Sequence, residues 1–122
     1  MDSILTSIKK LLGITEDYTI FDNDLTIHIN SVFMILNQLG IGPERCYSIM
    51  DEAASWSDFL PESDQNHEPV KTYMYLKVKL LFDPPASSIV MESMNRIISE
   101  LEWRMTTQVE LDRKEEIQNG IT

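Results

Sequence analysis

Two adjacent prolines, Pro84 and Pro85, stand between two stretches whose apolar residues recur at helical spacing. No other feature limits the fold as much. Each proline lacks the N–H that a helix interior needs, and Pro84 pushes Asp83 out of helical geometry. A helix read over 69–82 therefore stops here. Ser87 or Ser88 is placed to cap the next one, read over 88–106. The pattern predicts two rods folded back on each other at a fixed corner.

Each rod has an apolar face. Pro69 suits the first turn of the earlier rod, and Val70, Tyr73, Met74, Val78 and Leu81 share one side, widened by Leu76 and Leu80. Residues 75–80 also alternate as a strand would. In the later rod Val90, Met94, Ile97, Leu101 and Met105 form the expected core stripe, with Ile98 beside it. Trp103 projects almost opposite that stripe, in line with Ile89 and Arg96 at intervals of seven. Either it packs under a loop of its own chain or it faces another subunit, where Trp and Arg are favoured.

Upstream, Ile4, Leu5, Ile8, Leu11 and Leu12 mark a short first helix, with Asp2 or Ser3 as cap and Gly13 after its end. Lys9 and Lys10 sit in its last turns, where cations suit the helix dipole. Residues 14–21 connect it to a helix over 22–39, with Leu25, Ile29, Val32, Phe33, Leu36 and Leu39 as the stripe. Residues 44–53 read equally as an extended segment or as the start of a helix. Residues 53–60 read as a short helix ended by Pro61, and 61–68 as a polar loop containing a solvated His67. After Thr107 the apolar pattern fades. The expected organisation is a mainly α fold, a bundle of four to five helices over 1–107, with a flexible C-terminal tail over 108–122.

The chain has 122 residues and a formal net charge of −10. That size suffices for one core without disulfides, and Cys46 is the only cysteine. The acidic balance argues against a grip on nucleic acid, which needs clustered Lys and Arg. No window is long and apolar enough for a membrane span, and no targeting pattern is legible, so a cytoplasmic site of synthesis is expected. Chemistry is equally sparse. There is no phosphate loop and no metal spacing of Cys and His; Glu100 and Glu102 point to different helix faces and make a poor acid–base pair. His28 reads as a boundary residue of its helix. An enzyme is not expected, nor a cofactor.

Three stretches carry a resemblance: Asp24-Leu25 through Gln38-Leu39-Gly40, Ile49 through Trp56-Ser57-Asp58, and the pair KLLFDPP (79–85) and ELEWR (100–104). They resemble the tailed-phage head–tail connector family, small head-completion adaptors that bind beneath the portal. The positions matching its motifs are Phe82, Asp83, Pro84, Pro85, Glu100, Glu102, Trp103 and Arg104. The resemblance implies a virion protein at the head–tail interface, of a phage or a prophage. It implies a ring, typically dodecameric, formed by copies docked on the portal protein, from a chain that can be a monomer alone. Such a ring extends the DNA channel, lets DNA pass without specific binding, and offers a platform to a tail-side connector or stopper protein. No catalysis and no cofactor come with it. The competing expectation from charge alone is an acidic protein-binding adaptor or a DNA-mimic inhibitor.

Overall fold

The computed structural model describes residues 2–121. Five helices follow in order: α1 (Ile4–Leu11), α2 (Asp22–Gln38), α3 (Trp56–Phe59), α4 (His67–Phe82) and α5 (Ser88–Ile121). Among the described residues there is no strand, only an isolated antiparallel bridge between Ser3 and Ser55. The mainly helical expectation holds, and residues 75–80 are helix rather than strand.

The central element is α4, flanked by α2 and α5, with α1 packed on α2 and α4. Phe21 at the foot of α2 meets Phe82 at the end of α4, ring centroids 5.2 Å apart. Tyr73 meets Glu102 of α5, and Asn66, before α4, meets the Met105 carbonyl. Both neighbours therefore run antiparallel to α4 and parallel to each other.

Local chemistry explains the helix ends. Ser3 caps α1, its Oγ accepting from the Thr6 N–H. Ser55 and Asp58 form a reciprocal capping box on α3. At the end of α2 the Ile41 N–H donates to the Leu36 carbonyl (2.9 Å) and the Gly40 N–H to that of Asn37 (3.0 Å). This is a Schellman closure, with Gly40 at φ +81° where a side chain would be strained.

The core is continuous. Ile4, Leu5 and Ile8 of α1, the α2 stripe from Leu25 to Leu36, Trp56 and Phe59 of α3, and Val70, Tyr73, Met74 and Val78 of α4 are all buried. Phe33 sits at its aromatic centre, with the Phe59 ring at 4.7 Å and that of Tyr47 at 5.1 Å. Residues 44–53 resolve as irregular chain. Asn30 holds them through two bonds, donating to the Ile49 carbonyl (2.9 Å) and accepting its N–H (2.8 Å). One amide side chain thus does the work of a strand neighbour.

Several expectations need correction. Leu11, Leu81, Val90 and Ile97 are exposed rather than core. On α5 the buried stripe is Met94, Ile98 and Met105, with Leu101 and Val109 half-buried beside it, a rotation of one position from the sequence reading. The short helix shrinks to 56–59. Helix α4 begins at His67, two residues before the expected start, with Pro69 in its first turn as expected. His67 is buried rather than solvated: its Nδ1–H donates to the Leu60 carbonyl at 2.9 Å. Beyond Thr107 the backbone is helical to Ile121. The side chains from Arg113 to Gly120 are exposed.

Candidate assembly surfaces

The corner is built by the motif residues at the end of α4. Phe82 is half-buried between the Phe21 ring and that of His28, the latter at 6.5 Å. Asp83 closes α4: its N–H donates to the Lys79 carbonyl (2.9 Å) and its carboxylate accepts from Lys79 Nζ (2.8 Å). Pro84 is exposed and Pro85 half-buried. On the far side of the turn, Ser87 Oγ accepts from the Val90 N–H. Ser87, not Ser88, is therefore the cap of α5.

A second clamp ties the rods together at mid-length. The Tyr73 hydroxyl donates to Glu102 Oε2 at 2.6 Å. Burial of Tyr73, then its bond to Glu102 and the charge of that carboxylate, push its pKa well above the usual tyrosine value. The phenol is thus held as a neutral donor. Glu100 has a different job: it accepts from Arg104 at 2.6 Å on the solvent side of α5. The two glutamates point apart, as their spacing requires.

The N-terminal segment is pinned to α3. Asp2 accepts from both the Ser57 backbone (3.0 Å) and hydroxyl (2.8 Å), and the Trp56 indole donates to Ser7 Oγ (2.9 Å). Burial raises the Asp2 pKa, but these bonds, with Lys71 and His67 nearby, outweigh it and hold the carboxyl below its ordinary value. Lys9 is buried, its Nζ 2.8 Å from Asp22 and donating to the Glu16 carbonyl at 2.9 Å. It locks the connector before α2 and offers no charge to a ligand.

The motif set thus divides. Phe82, Pro85 and Glu102 are half-buried between the rods, while Asp83 and Pro84 are exposed at the turn, Asp83 closing α4 through Lys79. Glu100, Trp103 and Arg104 stay on the surface. Trp103 is 68% exposed, Ile89 75%, and Arg96 lies exposed between them. Among the described residues no loop covers this line. With Val90 and Ile97 beside it, the outer side of α5 is an apolar stripe in water.

A second outward stripe escaped sequence reading. Ile20, just before α2, and Ile27 and Met34 on it are exposed at intervals of seven, opposite the buried face of that helix. The spacing itself was a legible signal, but the stronger core stripe of α2 masks it. Among the described residues no three His, Cys, Asp or Glu side chains gather as a metal site, and no helix is long and apolar enough to cross a membrane. Cys46 is exposed, its Sγ 3.7 Å from the neighbouring Tyr47 carbonyl.

Fold and surfaces together define a small helical domain with a continuous core and apolar residues exposed along the outer sides of α2 and α5. Residues 4–112 match the family described as phage connector protein, and the chain belongs to that family. The match spans every motif named above and ends where α5 leaves the core. No curated protein and no solved structure matches the chain. Family membership gives it a connector role among the head–tail components of a phage and a place among virion structural proteins.

Proposed function

We propose that the chain is a head-completion adaptor that forms a ring beneath the portal, continues the DNA channel and presents a platform to a tail-side connector or stopper protein. The carrying observation is the exposed Ile89–Arg96–Trp103 line on a subunit whose core is already closed. A closed ring of identical copies requires a heterologous contact, and such a contact needs surface that the monomer leaves free. The ring is dodecameric when docked, and the chain is monomeric before docking, kept apart by its acidic surplus. It performs no catalysis.

Charge is unevenly placed. Up to Glu68 the sequence has twelve acidic and three basic residues; beyond it, eight and seven. The near-neutral α4–α5 half suits contact with protein, and the acidic half suits a wall past which DNA slides without being held. The exposed end of α5 beyond Asp112 reaches the portal or a neighbouring copy.

Mixing the purified chain with its portal protein and imaging the product by electron microscopy tests this. A ring stacked coaxially on the portal is expected. A chain that stays monomeric in the presence of portal refutes the reading.

A further inference from the structure

We propose that neighbouring copies join by laying the outer face of α5 from one subunit along the outer face of α2 from the next. This deepens the connector reading and rests on it. The matching features are the Ile89–Arg96–Trp103 line and the Ile20–Ile27–Met34 line. Both have steps of seven; at about 1.5 Å per residue Ile89–Trp103 spans about 21 Å on α5 and Ile27–Met34 about 10.5 Å on α2, with Ile20 in the turn just before α2. Both point away from the shared core, on the two helices that flank α4.

Direction agrees as well. Helices α2 and α5 run parallel within one subunit, each starting at the corner end. Neighbours in a many-membered ring are turned only slightly relative to each other, so the parallel order carries over between copies. Arg96 then falls level with Ile27, and Trp103 with Met34, with Ile89 towards the turn that carries Ile20.

Charge selects this pairing over α5 against α5. Arg96 lies between Glu92 and Glu100 in sequence, yet Glu100 is taken by Arg104. The Arg96 guanidinium makes only a 3.4 Å contact with Ser93 Oγ. Asp24, one helical turn before Ile27, is exposed, and among the described residues neither it nor Arg96 is ion-paired. Stacking α5 on its own copy across a two-fold axis would set Arg96 against Arg96. Stacking it on α2 sets Arg96 near Asp24. A parallel contact between different faces also propagates, as a ring demands, whereas a two-fold contact stops at a dimer.

The test is cross-linking in a Cys46→Ser background with Ser31→Cys and Glu100→Cys, positions level with each other in this register and both exposed. Portal-bound rings treated with a short bis-maleimide should give a ladder of covalent oligomers from the double variant and no ladder from either single variant. Rings without a ladder overturn the α5–α2 contact and leave the connector reading standing. A covalent dimer from Glu100→Cys alone overturns it in favour of a two-fold contact. Failure of the unmodified chain to form rings on the portal overturns both. If the cysteine variants do not assemble, charge reversal decides: Arg96→Glu should abolish rings and adding Asp24→Lys should restore them. Absence of that rescue, with both variants folded by circular dichroism, refutes the pairing.

Discussion

The chain has two tryptophans in opposite surroundings, and cutting each to alanine separates folding from assembly. Trp56 is 2% exposed and Trp103 68%. Trp56→Ala opens a cavity beside Phe33 and removes the indole donor to Ser7 Oγ, which still donates to the Ile4 carbonyl, so a loss of about 3–5 kcal/mol is expected, as for large aromatics in cores. Trp103 keeps roughly a third of its ~250 Å² out of water, an upper bound of about 2 kcal/mol at ~25 cal/mol per Å². Part of that burial is against its own helix, so the expected loss for Trp103→Ala is about 1 kcal/mol. The remaining two thirds, covered in a ring, correspond to about 4 kcal/mol per contact, on the order of a thousandfold in affinity. Denaturant unfolding of the isolated chain reads the first quantity, and sedimentation with portal reads the second. Trp103→Ala should melt nearly as the parent does and fail to form rings. A stability loss equal to that of Trp56→Ala, or unimpaired rings, would refute the reasoning.

Other perturbations follow from single contacts. Asn30→Ala removes both bonds to Ile49 and leaves its N–H and carbonyl without their partner; a loss of about 2 kcal/mol is expected in urea unfolding. Gly42 sits at φ +92°, and a Cβ there would collide with the Phe59 ring. Gly42→Ala should therefore cost at least about 2 kcal/mol in the same assay. The depressed Asp2 pKa gives a pH prediction. Its contribution is fully present above the ordinary carboxyl value of 3.8 and is lost as pH falls through the lower folded value. Thermal melts of the parent should thus fall below about pH 4 more steeply than those of Asp2→Asn.

Which parts of this fold were legible in sequence depends on which force governs them. The α2 stripe and the Pro84–Pro85 corner were readable because periodicity and the missing N–H act locally. The phase of the α5 stripe was not. Val90 and Ile97 are as apolar as Ile98, and only the groove offered by α4 decides which side turns inward. Polar residues misled in a different way. Lys9, Asn66 and His67 are buried because carbonyls and a carboxylate distant in sequence satisfy them, information that no local pattern holds. Fading apolarity at the end of α5 signals loss of packing rather than loss of helix. Glu, Lys, Arg and Gln are good helix formers, and Gln108 donates to Asp112 across one turn at 2.9 Å. Among the site residues, the outward line on α5 could be found because Trp103 contradicted its stripe. The α2 line, made of ordinary Ile and Met, gave no such contradiction.

A head-completion adaptor is the piece that lets a filled head accept a tail. Electron microscopy of particles assembled without it is the most direct measurement. DNA-filled heads lacking tails, converted to complete particles when the purified chain is added back, are predicted. Tailed particles in normal numbers without the chain would contradict the account.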